Sequence, residues 1–220
     1  MILDRLVVPG IVVALALAGC ARVPLGATTP GAEGTVTCEY RPGGTPARAV
    51  DPPTTSEVPA TGTATVTIDL GDSVLTAQLD RAAAPCTVNS FESLAAQGFY
   101  NDTECHRLST SGIFILQCGD PTGTGRGGPG YTFDDELTPE TAYRAGTLAM
   151  ANSGRDTNGS QFFLVFADTP LPPNYTVFGH MDAQSTQAVA DRAFQGHDAS
   201  YPDGTGRPNL PTVIRSVVSG

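Results

Sequence analysis

The chain has 220 residues, of which 40% are hydrophobic and 15% charged, so it can build an ordinary globular core. Its 22 acidic and 12 basic side chains give a formal net charge of −10. This excess of negative charge repels phosphate groups, which excludes nucleic acids and anionic lipid headgroups as partners of the folded part.

The first twenty residues predict export. An apolar run extends from Leu6 to Ala18, which is too short to span a bilayer but is typical of the core of a signal peptide. The run ends in Leu17-Ala18-Gly19-Cys20, which resembles the lipobox of bacterial lipoproteins. We expect residues 1–19 to be a signal peptide and Cys20 to be lipidated, which anchors the protein on the extracytoplasmic face of the cell membrane. The alternatives are an ordinary secretory signal and an uncleaved anchor.

The next segment, residues 20–60, is rich in Pro and Gly, with Tyr40 as its only aromatic residue after the lipidated cysteine. Such a composition buries too little apolar surface to offset the entropy lost on ordering. We therefore expect a tether that holds a folded domain, residues 61–220, away from the membrane.

Four cysteines remain once Cys20 is used, and outside the cytoplasm they are expected to form disulfides. Cys105 and Cys118 flank one apolar, hairpin-like segment, which favours their pairing and leaves Cys38 to pair with Cys86. The alternative is four buried free thiols. No metal site is expected, because the chain has no C-x-x-C motif and its three histidines are scattered.

From Thr61 onward the sequence predicts a mainly β domain with two helices. Apolar positions at helical spacing indicate helices over 85–96 and 183–194, the first closed by Gly98. Alternating or apolar runs indicate strands over 64–70, 73–79, 104–109, 113–117, 148–151, 161–166, 176–178 and 213–218. Many short strands suggest a closed antiparallel barrel, because closure removes exposed edges.

Three stretches stand out chemically. Arg107 lies in an apolar strand, residues 120–130 form a glycine-rich loop, and residues 150–163 form a polar loop that enters an apolar strand. Each has an ordinary explanation: a salt-bridged core arginine, a surface turn and a hairpin turn at Asn158-Gly159. A phosphate-binding loop is disfavoured, because neither a Lys nor a helix follows the glycines.

Taken together, these stretches resemble the cyclophilin family in order and spacing. The matching motifs are Gly98 to Thr103 followed by His106-Arg107, Gln117 to Gly125, Gly146 to Phe163, and Tyr175 to Gly179. The resemblance covers about residues 63–218 and implies a closed eight-stranded antiparallel β-barrel capped by two α-helices. It also implies a peptidyl-prolyl cis/trans isomerase that needs no cofactor and acts on proline-containing polypeptides during the folding of exported or cell-envelope proteins.

The resemblance also implies site residues where the motifs match. Arg107 is similar to the catalytic arginine, with His106 beside it and Gln117 as a catalytic-site positioner. The implied substrate-binding residues are Phe114, Ile115, Asn152, Gln161, Phe163, Leu171 and Tyr175.

The sequence alone also leaves two alternative functions. One is a module that binds proline segments without turnover, and the other is a thiol-disulfide enzyme, which would need a paired reactive motif that the chain lacks. We expect a monomer that binds cyclosporin weakly, because the chain has no Trp and Pro170 stands about where the family's drug-binding members place one.

Overall fold

The computed structural model describes residues 34–220. The predicted signal peptide and Cys20 lie outside these residues. The strands are β1 Thr35–Val36, β2 Arg41–Pro42, β3 Val58–Pro59, β4 Thr63–Asp69, β5 Val74–Asp80, β6 Thr103–Glu104, β7 Arg107–Ser111, β8 Ile113–Cys118, β9 Tyr131–Thr132, β10 Thr147–Met150, β11 Phe162–Val165, β12 Val177–Met181, β13 Val213–Ile214 and β14 Ser216–Ser219. The helices are α1 Pro85–Ala96 and α2 Ala183–Ala193.

Both helices form where the sequence predicts them. In α1, Val88, Phe91 and Leu94 are buried at helical spacing, Pro85 stands in the first turn, and Gly98 follows the helix with φ of +69°. The Asp182 side chain accepts a hydrogen bond from the Ser185 N–H at 2.7 Å and so caps the start of α2. Within residues 34–220, no helix is both long and apolar enough to cross a membrane.

Eight strands form one curled antiparallel sheet in the order β14-β4-β5-β12-β10-β11-β8-β7. The prediction of a closed barrel is wrong, because the edge strands β14 and β7 do not pair and the sheet is open. At the β7 edge, Leu108 exchanges hydrogen bonds with Gly206 at 2.7 and 3.2 Å. The segments that precede the two edge strands, β6 and β13, pair separately with each other. Backbone outside the sheet thus forms hydrogen bonds with edge-strand N–H and C=O groups that would pair with each other in a closed barrel.

The larger core fills the inside of the curl. It combines alternate residues of the sheet with the buried face of α1, and its largest fully buried side chains include Phe91, Tyr100, Phe162 and Phe178. Phe91 contacts the other three rings at centroid distances of 5.1 to 5.3 Å. These contacts couple α1 to the inner face of the sheet.

Residues 34–60, which we call the arm, lie on the domain surface, although their composition predicts a tether that the expected Cys38–Cys86 disulfide joins to the domain. Cys38 forms a disulfide with Cys86 at the start of α1. The Tyr40 ring packs against Tyr131 at 5.4 Å, and the Tyr40 hydroxyl donates to the Cys86 carbonyl at 2.8 Å. The guanidinium of Arg48 donates to three backbone carbonyls just after α1. A few specific anchors therefore hold a segment whose average composition indicates disorder.

The second disulfide joins Cys105 and Cys118, so both pairings expected from the sequence are present in the structure. Cys105 and Cys118 are both buried in the larger core. This bond links the segment before β7 to the end of β8.

Candidate active site

Arg107 begins β7 directly opposite Gln117 in β8. Its guanidinium makes three hydrogen bonds: Nε to Thr205 Oγ1 at 2.9 Å, Nη1 to Gln117 Oε1 at 3.3 Å, and Nη2 to Asp203 Oδ2 at 2.6 Å. A guanidinium has five N–H donors, so two remain, one on each terminal nitrogen. The side chain is 26% exposed. Arg107 is therefore a cation of fixed orientation that can still donate to a ligand.

A chain of amide side chains extends from Arg107 across the sheet. The Gln117 Nε2 donates to Gln161 Oε1 at 2.9 Å, and the Gln161 Nε2 donates to the Gly127 carbonyl at 2.9 Å. Each amide is thus oriented by the next partner. The two glutamines predicted from the sequence lie together beside Arg107.

Next to Arg107, a second apolar cluster lies on the outer face of the sheet. Its members are Ile115, Tyr143, Ala149, Phe163 and Val165, with Ile113, Ala151, Leu171, Tyr175 and Val177 packed against them. Phe163 pairs with Gln117 and Val165 pairs with Ile115, so strand alternation places these side chains on the same face. The predicted residues Ile115, Phe163, Leu171 and Tyr175 are brought together here.

Tyr143 belongs to this cluster, although the sequence did not single it out. Its ring lies 6.0 Å from those of Phe163 and Tyr175, and its hydroxyl donates to the Tyr175 carbonyl at 3.0 Å and accepts from the Tyr175 N–H at 2.8 Å. Burial raises the pKa of Tyr143, so the hydroxyl stays neutral. The one available signal was a lone aromatic residue in the polar segment 138–144.

Phe114 lies apart from the cluster. It neighbours Ile115 in β8, so its side chain points to the opposite face of the strand. Its ring contacts that of Phe166 at 6.0 Å, and Phe166 packs against the larger core. The structure thus groups Phe114 with Phe166, whereas the resemblance implied a substrate contact for it.

His106 and Asn152 have supporting positions. His106 is 1% exposed, lies against Gly125 of the glycine-rich loop, and has a pKa lowered by burial. It has almost no surface to offer a ligand. The Asn152 amide donates to the Asn174 carbonyl at 2.8 Å, which ties the polar loop to the segment before Tyr175.

A cavity of about 420 Å³ adjoins the site and includes Gln117, Gln161 and Asn152 in its wall. Part of the wall is the glycine-rich loop, whose backbone N–H groups at Thr122, Gly125 and Arg126 donate to the buried Asp120 carboxylate. These donors are engaged by the chain's own carboxylate, which fits the exclusion of a phosphate-binding loop. Residues 34–220 contain no cluster of three or more His, Cys, Asp or Glu side chains suited to hold a metal ion.

The structure is an open antiparallel sheet with two helices. It carries an oriented arginine beside an apolar cluster on the outer face of the sheet, and these features together indicate which family the chain should be compared with. The family model described as "Cyclophilin type peptidyl-prolyl cis-trans isomerase/CLD" matches residues 63–218. The chain therefore belongs to the cyclophilin-type peptidyl-prolyl cis-trans isomerase family, and its enzyme class is that of the peptidyl-prolyl cis-trans isomerases.

Individual relatives agree with this assignment. A probable peptidyl-prolyl cis-trans isomerase B of Mycobacterium leprae is 46% identical over 199 residues, which cover 83% of this chain and 66% of the relative. A probable peptidyl-prolyl cis-trans isomerase A of Mycobacterium bovis is 41% identical over 176 residues, which cover 72% of this chain and 92% of the relative. A crystal structure of a Cryptosporidium parvum cyclophilin is 34% identical, with a TM-score of 0.64 over 72% of this chain and 98% of that one. The chain spans about two thirds of the length of the isomerase B relative.

Proposed function

We propose that this chain accelerates rotation about X–Pro bonds by seating the proline ring on the Ile115–Phe163 cluster and presenting Arg107 to the proline nitrogen. The uncatalysed rotation is slow because amide resonance creates a barrier of about 18–20 kcal/mol. As the amide twists, the nitrogen regains its lone pair and becomes a hydrogen-bond acceptor. A cation aimed at that nitrogen binds the twisted state more tightly than either planar form, which is the condition for catalysis.

The observation that carries the proposal is the orientation of Arg107. Three hydrogen bonds hold its guanidinium at the rim of an apolar cluster, and one donor on each terminal nitrogen stays free. No bond is made or broken in the rotation, so an apolar seat and one oriented cation meet the needs of the reaction. A second crystal structure of the Cryptosporidium parvum cyclophilin was determined in the presence of the dipeptide Ala-Pro, which supports a proline ligand for this fold.

The test replaces Arg107 by Ala and by Lys, with Arg207→Ala as the matched control. Arg207 is a neighbouring arginine that pairs with Glu104 outside the apolar cluster. Because two charge-assisted hydrogen bonds are at stake, we expect Arg107→Ala to lower kcat/KM for a proline peptide by about 100-fold or more. Arg107→Lys should restore little, because the fork of donors is lost.

Protease-coupled and NMR exchange assays measure the rates, and circular dichroism verifies the fold. Full activity of Arg107→Ala would overturn the mechanism. A wild-type protein that binds proline peptides without accelerating exchange would instead identify a binding module.

We further propose that the clients are exported polypeptides and that the enzyme is a lipoprotein on the extracytoplasmic face of the membrane. Two disulfides support this location, because disulfides persist outside the cytoplasm. Mass spectrometry of the N-terminal peptide should find acyl groups on Cys20, and Cys20→Ala should move the protein to the soluble fraction. An unacylated wild-type protein would contradict this location.

A further inference from the structure

The arm contacts the polar loop of residues 150–163 through the side chain of Arg41. The Arg41 Nη2 forms an ion pair with Asp134 Oδ1 at 2.7 Å and donates to the Asp156 carbonyl at 3.1 Å. Strand pairing brings the side chain there, because Arg41 in β2 pairs with Thr132 in β9, two residues before Asp134. One nitrogen atom of the arm thus joins the end of β9 to the polar loop.

The polar loop needs support at Asp156. This residue has φ of +59°, a left-handed conformation that residues other than glycine rarely adopt and that surrounding contacts must hold. The Asp135 N–H donates to Asp156 Oδ1 at 3.0 Å, and the Asp156 N–H donates to Asp135 Oδ2 at 2.9 Å. Asp135 therefore holds the N–H and the side chain of Asp156, and Arg41 holds its carbonyl.

The other carboxylate oxygen of Asp135 leads to the candidate active site. Asp135 Oδ1 accepts from the Asn158 Nδ2 at 2.8 Å and from the Asn152 Nδ2 at 3.4 Å. Asn152 is the polar-loop residue for which the family resemblance implies a substrate contact. A continuous chain of hydrogen bonds thus extends from Arg41 through Asp156 and Asp135 to Asn152.

Charge adds to the importance of Arg41. The carboxylates of Asp134, Asp135 and Asp156 lie in this one network and repel each other, so a cation that bridges them stabilises the loop. Among residues 34–220, their ion-pair partners are Arg41 and Arg155. The Arg155 side chain is 89% exposed and the Arg41 side chain 36% exposed. Arg41 is therefore the less solvated of the two countercharges.

We propose that Arg41 is a positioning residue of the isomerase, which holds the polar loop through Asp156 and Asp135 in the conformation that orients Asn152 toward the client peptide. The inference rests on the isomerase function proposed above. The arm lies before residue 63, where the family match begins. The arm thus takes part in the reaction in addition to being anchored on the domain.

The experiment measures kcat and KM of the full chain for a proline peptide in Arg41→Ala and Arg41→Lys, with Arg48→Ala as the matched control. Arg48 also anchors the arm, but it donates to three backbone carbonyls just after α1. Because a misplaced Asn152 weakens binding of the planar and twisted amide alike, Arg41→Ala should raise KM about two- to fivefold with kcat nearly unchanged. Arg41→Lys should recover most of this loss, since a single ammonium has three donors and both contacts of Arg41 come from one nitrogen.

A double-mutant cycle with Asp135→Asn tests the route of the effect. Asparagine leaves one acceptor oxygen where Asp135 uses two, so the link from Asp156 to Asn152 is broken. If Arg41 acts through this link, adding Arg41→Ala to Asp135→Asn should raise KM no further, whereas the effects of independent residues would multiply. Side-chain amide NMR signals of Asn152 give a second readout, and they should shift in Arg41→Ala but not in Arg48→Ala.

An unchanged KM and unshifted Asn152 signals in a folded Arg41→Ala variant would overturn the proposal. Effects of Arg41→Ala and Asp135→Asn that multiply would also overturn it, and so would an equal rise of KM in Arg48→Ala, since the effect would then be one of arm anchoring in general. Failure of the isomerase proposal gives a different result. The wild-type chain would then accelerate no peptide, while the Asn152 signals would still report whether Arg41 orients the loop.

Discussion

The two faces of strand β11 show how one strand serves both stability and function. Phe162 points into the curl and contacts Phe91 and Tyr100 at 5.3 and 5.6 Å. Its neighbour Phe163 points outward and contacts Tyr175 and Tyr143 at 5.6 and 6.0 Å. Both are almost completely buried, at 0% and 2% exposure.

The neighbours of the two rings differ in kind. The partners of Phe162 belong to the helix-covered core, whereas those of Phe163, Tyr143 and Tyr175, come from irregular segments on the outer face of the sheet. Among residues 34–220, the inner cluster includes thirty buried residues and the outer one five. An apolar cluster that is small, on the outer face and next to an oriented cation is suited to bind a ligand, and the inner cluster is suited to hold the fold.

Substituting each phenylalanine by alanine should separate these roles most strongly. Phe162→Ala leaves a cavity inside the closed core, so we expect the free energy of unfolding to fall by about 3–5 kcal/mol. The molecules that remain folded should keep a kcat/KM close to that of the wild type. Phe163→Ala should cost less stability and should lower kcat/KM about tenfold or more, because the apolar contact with proline is lost.

Urea unfolding and a peptide isomerisation assay on both variants measure the two effects. If Phe163→Ala lost stability as much as Phe162→Ala and kept its activity, the outer cluster would be ordinary core.

The sequence predicted elements whose pattern is local. The limits of α1 follow from the spacing of Val88, Phe91 and Leu94 between Pro85 and Gly98. Closure of the sheet depends on which backbone reaches the β7 edge, and Gly206, almost a hundred residues away, does so. The other contacts of the arm were missed for a related reason: the sequence predicted the Cys38–Cys86 disulfide, but average composition carries no information about a few anchoring side chains, such as Tyr40 and Arg48.

The residues of the candidate site also fall into two groups, those that the sequence predicted and those that only the structure shows. Arg107, Gln117 and Phe163 lie in motifs with recognisable spacing, and the structure brings them together. Tyr143 and Asp203 come from irregular segments without periodicity, and only the folded chain shows their contacts. Phe114 also lies in a recognisable motif, but the structure places it on the face of β8 opposite Ile115. A motif match does not by itself indicate the face of a strand on which a side chain lies.

A second prediction concerns the rim of the outer face. Pro170 is exposed and precedes Leu171, which packs against the outer cluster. Proline supplies neither an N–H donor nor a large flat ring, so we expect wild-type protein to bind cyclosporin weakly. Pro170→Trp adds a donor and an aromatic face, together worth about 1–3 kcal/mol, and should strengthen binding about tenfold or more.

Titration calorimetry measures the affinity, and Pro172→Trp, two residues further along the same segment, is the control. Turnover should change little in either variant. Wild-type binding as tight as that of Trp-containing members would show that Pro170 does not occupy the expected position.

The smallest expected effect concerns the cation itself. Asp203 Oδ2 accepts from Arg107, while its Oδ1 accepts from the Thr205 N–H at 3.1 Å and hydroxyl at 2.6 Å. Since Thr205 Oγ1 also accepts from Arg107 Nε, the Asp203 carboxylate is one of the three partners of the guanidinium and orients a second one, Thr205. Asp203 is therefore a positioning residue. Asp203→Asn keeps the shape but removes the charge of a half-exposed ion pair, so kcat should fall about two- to fivefold with KM nearly unchanged.

The pH profile distinguishes this role from a purely structural one. Hydrogen bonds from Thr205 lower the pKa of Asp203, so the folded carboxylate stays charged below the usual aspartate pKa of about 3.9. A group with a depressed folded pKa contributes fully above its unfolded pKa, and that contribution is lost as the pH falls through the folded value. The ratio of wild-type to Asp203→Asn kcat should thus be constant from about pH 5 to 8 and approach one only in acid below about pH 4. A ratio that changes near neutral pH would show that a group other than Asp203 titrates. Equal kcat values at every pH would show that Arg107 needs no carboxylate to hold its orientation.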